Sequence, residues 1–128
     1  MRPPHDLLWV DGTAGLSVGL GMLALSGWLS ALYALPEPLY FVIAIANTGY
    51  GLFSLSLAMR HERPMRLIIS LVIANAAWAV LCFVGVVALV GEASFFGLAH
   101  LFGEGTFVGG LAWLEWKYRE ALRFRGTP

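Results

Sequence analysis

His100 and Glu104 stand four residues apart inside the apolar stretch that follows Ser94. On a helix that spacing places an imidazole and a carboxyl group on one face, within hydrogen-bonding reach of each other. Such a pair can share a proton near neutral pH, which makes His100 and Glu104 the candidate catalytic residues for acid–base work on a lipid-soluble substrate. At 100° per residue Leu111 and Glu115 project within about 60° of them, so a polar stripe runs down one side of this helix.

Two asparagines add to the set. Ile45-Ala46-Asn47-Thr48-Gly49-Tyr50 and Ile73-Ala74-Asn75-Ala76-Ala77-Trp78 share the pattern Ile-Ala-Asn-x-x-aromatic, with Ser54 and Cys82 extending the same faces at i+7. Measured from the middles of their apolar runs, Asn47, Asn75 and Glu104 all lie within about three residues of the centre, or roughly 5 Å. This predicts a single polar layer at half-thickness of a membrane. A charged side chain there costs about 2.5 to 3.5 kcal/mol on insertion scales, so Glu104 should face inward and find a hydrogen-bond partner.

One reading of the layer is a register device, each interhelical bond contributing about 0.6 kcal/mol. The other is a binding pocket lined by Asn47, Tyr50, Asn75, Trp78 and Glu104. The glutamate favours the pocket, because a neutral residue would set register at lower insertion cost. Asp11 and Glu115 fall near the membrane boundary, where water or Arg119 can satisfy them, and they read as structural. His5 and His61 lie in solvated segments and carry no role.

No metal or cofactor is expected. Cys82 is the single cysteine, which excludes an internal disulfide and a cysteine cluster. His100 is the one histidine at depth, so a bis-histidine haem site lacks its second ligand, and there is no His-Glu-x-x-His run for a zinc hydrolase.

The elements that position these residues follow from composition. Of 128 residues 59% are hydrophobic and 12% charged, half the charged share of an ordinary soluble domain. Mean hydropathy is +0.75. Eight basic and eight acidic residues cancel, which argues against nucleic acid as a partner. Four apolar runs, at about 8–33, 39–59, 65–90 and 95–116, are each long enough to cross a bilayer. The breaks between them are Pro36-Glu37-Pro38, Arg60-His61-Glu62-Arg63-Pro64 and Gly91-Glu92-Ala93-Ser94, the last supplying Ser94 as a helix N-cap. Acidic residues flanking a long first run, Asp6 and Asp11, argue for a retained span and against a cleaved signal peptide. The expected fold is all-α: one integral membrane domain over 1–128, a four-helix up-down-up-down bundle, with 117–128 a polar tail continuing the fourth span.

All eight Lys and Arg residues fall before span one, between spans two and three, or after span four. The positive-inside tendency then puts both termini in the cytoplasm, as in a bacterial inner (plasma) membrane. Trp9, Trp113, Trp116 and Tyr118 mark one boundary and Trp28, Tyr33 and Tyr40 the other. Gly15/Gly19 and Gly105/Gly109 are small-xxx-small pairs, which predicts close packing of spans one and four. Partners are membrane lipid and a partner membrane protein or a second copy of the chain. The reading that fits best is a membrane module whose midplane cluster binds an apolar small molecule or a partner helix. The alternatives are an intramembrane enzyme using Glu104 and His100, or a proton-coupled small transporter.

Overall fold

A computed structural model describes residues 6–123. It is helical throughout, with α1 (Leu7–Ala24), α2 (Ser26–Tyr33), α3 (Glu37–Ala58), α4 (Met65–Leu89), α5 (Phe95–Lys117) and a 3-10 turn (Ala121–Arg123), and the described residues include no strand. Three helices, α1, α3 and α4, are long and apolar enough to cross a membrane. Arg2, His5 and Arg125, which entered the sequence reading, lie outside the described residues.

Helix ends follow local chemistry. Pro36 caps α3 and Pro38 sits in its first turn, where its missing N–H has no intrahelical partner to lose. The expected Ser94 cap is present, its Oγ accepting from Gly97 N at 3.2 Å. That hydroxyl also donates to Leu32 O at 2.6 Å, tying the start of α5 to the end of α2.

The first apolar run is two helices instead of one. It breaks at Leu25, immediately before the Ser26-Gly27 pair, whose weak helix preference makes it a common kink site. The Tyr40 hydroxyl donates to Met22 O, at 2.7 Å, in the turn that the break opens. Beyond it α2 leans onto α5, where Gly97 lies directly against the Tyr33 carbonyl and Ser94 N donates to Tyr33 O at 3.0 Å.

The small residues work within consecutive helices, and not between spans one and four as expected. Gly12, Gly15 and Gly19 of α1 meet Leu55, Gly51 and Thr48 of α3 in that order, so the two helices run antiparallel at close range. A Cβ on Gly51 would strike Leu16 backbone, and one on Gly19 would strike Thr48. In α5, Gly105 abuts Cys82 and Phe83, and Gly109 abuts Ala79, which makes α4 and α5 a second antiparallel pair. Between the pairs backbone approach is sparser, with α1 and α2 meeting α5 at a few positions.

One end of the molecule gathers Arg60, Arg63, Arg66, Lys117, Arg119 and Arg123. The tail does not continue α5 there. It turns back after Lys117, and Leu122 is buried with Leu8, Leu57 and Ile68. Arg63, 4% exposed, anchors this return: Nε donates to Leu57 O at 2.6 Å, Nη2 to Ala58 O and Nη1 to Leu122 O, both at 2.9 Å. It thereby supplies a donor to Ala58 O at the end of α3 and a second one to Leu57 O, which also accepts from Arg60 N at 3.1 Å. On the surface of this return Glu120 pairs with Arg123 at 3.5 Å.

The exterior is apolar. Trp28, Ile45, Ile73, Val87, Phe95, Phe102 and Trp113 are all more than half exposed, an arrangement that water penalises and lipid accommodates.

Candidate functional site

Asn47, Glu104 and Trp78 occupy one level because each lies about ten residues, roughly 15 Å, from the end of its helix away from the arginines. Glu104 is 7% exposed and receives donors on both oxygens. Asn47 Nδ2 donates to Oε2 at 2.9 Å, the Trp78 indole N–H donates to the same oxygen, and Cys82 Sγ stands 3.9 Å from it. Oε1 is 2.8 Å from His100 Nε2. The other imidazole nitrogen, Nδ1, is 3.1 Å from the Tyr33 hydroxyl, which the kink and α2 deliver across the molecule. In the tautomer in which the phenol donates to Nδ1, the imidazole proton lies on Nε2 and points at Glu104. The carboxylate therefore sits in a nest of N–H donors.

Asn75 belongs to a different cluster. Its Nδ2 donates to Asp11 Oδ2 at 2.9 Å and to Glu115 Oε1 at 2.8 Å. Asp11 is 4% exposed, and Glu115 and Asn75 are sealed off. The single layer expected from run midpoints is thus two layers. The midpoint argument assumes that all helices start at one level, whereas Asn75 lies ten residues into α4 and Asp11 only four into α1. Arg119, the partner anticipated for these acids, donates to Trp116 O instead, with its guanidinium 3.9 Å from the centre of that indole.

The repeated Asn-x-x-aromatic pattern acquires a geometric meaning from the antiparallel chains. Trp78, one turn beyond Asn75, reaches the level of Asn47 and Glu104; Tyr50, one turn beyond Asn47, reaches Ala74 O at 3.4 Å, beside Asn75. The two rings meet edge to face at 6.2 Å between the layers. Along α5 Glu104 and Glu115 are eleven residues apart, about three turns or roughly 16 Å, and the Trp78 and Tyr50 side chains reach across part of that interval. Ser54 is buried on α3 and joins neither cluster, its Oγ lacking a partner among the described residues.

A cavity of about 250 Å³ spans both layers. Its polar lining comes from Glu104, His100, Asn47 and Tyr50 at one level and from Asp11 and Asn75 at the other; Ala14, Val18, Phe107 and Leu111 supply the apolar walls. It lies between α1 and α5, which supply most of its lining, and Val18 and Phe107 at its rim are 37% and 45% exposed on the lipid-compatible exterior. Of the residues that sequence reasoning placed at the site, Asn47, Tyr50, Asn75, Glu104 and His100 line this cavity, while Trp78 stands behind it as a donor to Glu104. Asp11 and Glu115 were assigned to the boundary; their signal was their position as acids on apolar helix faces. No group of three or more His, Cys, Asp or Glu among the described residues is arranged to hold a metal ion. Comparison with protein families, curated proteins and solved structures found no match.

Proposed function

We propose that this chain is a small integral membrane protein that binds an apolar small molecule in the cleft between α1 and α5. The observation that carries the reading is the cavity itself: apolar walls, a polar base at mid-depth, and a rim of half-exposed Val18 and Phe107 through which a molecule dissolved in lipid can enter sideways. In this reading α5 crosses with α1, α3 and α4 as a four-span up-down-up-down bundle, its polar side chains turned away from lipid. The collected arginines face the cytoplasm of a bacterial plasma membrane, with both termini on that side. The stacking of Lys117 over Trp113 and of Arg119 over Trp116 supports an interfacial belt there.

Binding is favoured over acid–base catalysis by Glu104 and His100 because both Glu104 oxygens are engaged by protein donors. A substrate would have to displace one of them. The volume exceeds the roughly 150 Å³ of a cavity that holds benzene, so the site suits a body of one or two rings or a short chain.

Organic extraction of the purified protein followed by mass spectrometry tests the proposal. A defined apolar molecule should copurify near one per chain and be lost from Ala14→Phe, which fills the cavity. Recovery of bulk phospholipid alone, equally from both proteins, would contradict it.

A further inference from the structure

The two layers present the cavity with opposite electrostatic conditions. Glu104 has protein N–H groups at both oxygens, Asn47 and Trp78 at Oε2 and His100 Nε2 at 2.8 Å from Oε1. Asp11 Oδ2 and Glu115 Oε1 instead accept from one and the same nitrogen, Asn75 Nδ2. Glu115 Oε2 is fully buried and receives no N–H or O–H donor among the described residues. No Lys or Arg among the described residues lines the cavity. Of the two acids, Asp11 is the one that lines the cavity.

We infer that the Asp11–Asn75–Glu115 base selects, among apolar ligands, those that carry a single protonated amine, the ammonium group hydrogen-bonding to Asp11 while the body lies between α1 and α5. This rests on the cleft being a ligand site and adds the charge of the ligand to it. An ammonium brings positive charge and further N–H donors to two acids that share a single amide nitrogen, which no apolar or anionic head group does. Glu104 offers no competing position, because its own donors fill it.

The test uses 4-phenylbutylamine and its neutral counterpart butylbenzene, titrated calorimetrically into the full chain in lipid nanodiscs and corrected with empty nanodiscs. The amine should bind at least about tenfold more tightly. Asp11→Asn should abolish that preference, bringing the two probes within about twofold of each other. Glu115→Gln should retain the preference, since it leaves the Asp11 carboxyl group in the cavity wall. Circular dichroism confirms folding of each variant. Equal binding of the two probes to the unmodified protein, or an amine preference that survives Asp11→Asn, would overturn the inference while leaving the cleft a ligand site. Failure of both probes to bind would overturn the ligand site as well.

Discussion

The Glu104 nest and the Asp11–Glu115 pair are both buried carboxyl clusters, about three helical turns apart along α5, yet they are built on opposite principles. Around Glu104 donors outnumber acids: an amide, an indole and an imidazole converge on one carboxylate. Around Asn75 acids outnumber donors, two carboxyl groups drawing on one amide nitrogen. A satisfied charge in a poorly polarisable interior stiffens the structure around it, whereas an under-supplied one holds capacity for a proton or a ligand. The sequence reading weights the two differently, taking Glu104 as the chemical candidate and Asp11 and Glu115 as structural.

That contrast is open to perturbation. The largest effect is expected from Asn75→Ala, which strips the shared donor from both acids and should cost about 3 kcal/mol; Asn47→Ala leaves Glu104 its indole and imidazole and should cost about 1 kcal/mol. Unfolding in mixed micelles titrated with SDS measures both, and equal losses would erase the distinction between the clusters. Trp78→Phe keeps an apolar ring while removing one donor from Glu104, for a predicted loss of about 1 kcal/mol. Tyr33→Phe acts at the far end of the chain of bonds through His100, and should lower stability by about 0.5 kcal/mol without changing ligand binding. A larger loss there would mean that the phenol holds α2 against α5 more than it orients the imidazole.

Much of the scaffold was legible beforehand. The boundaries of α4 and α5, the Ser94 cap and the His100–Glu104 contact follow from run length, cap chemistry and helical spacing, which are local properties. What escaped depends on how helices are offset along their axes. Asn75 is central in its own run but meets Asp11 and Glu115, which are near the ends of theirs, and no single-helix periodicity encodes that stagger. The glycine spacing on α1 and α5 identified the close-packing faces correctly and their partners wrongly, because a small-residue face does not name the helix it meets. Arg63 reads in the sequence as one more cation beside a proline; its burial as a clamp on α3 and the returning tail depends on contacts nearly sixty residues away. The break at Leu25 did carry a signal, the Ser26-Gly27 pair, within a run too apolar to show it by hydropathy.

The difference between the clusters is tested most directly by removing charge from each with nearly isosteric amides and comparing unfolding free energies in the same micelles. Glu104→Gln turns an acceptor into a donor that faces existing donors, and should destabilise by about 1 to 3 kcal/mol. The double variant Asp11→Asn/Glu115→Gln removes a charge that lacks donors and lets amides bond to one another, so stability should hold within about 0.5 kcal/mol or rise. If the double variant proves the more destabilised of the two, the Asp11–Glu115 pair is the structural cluster and the account is wrong.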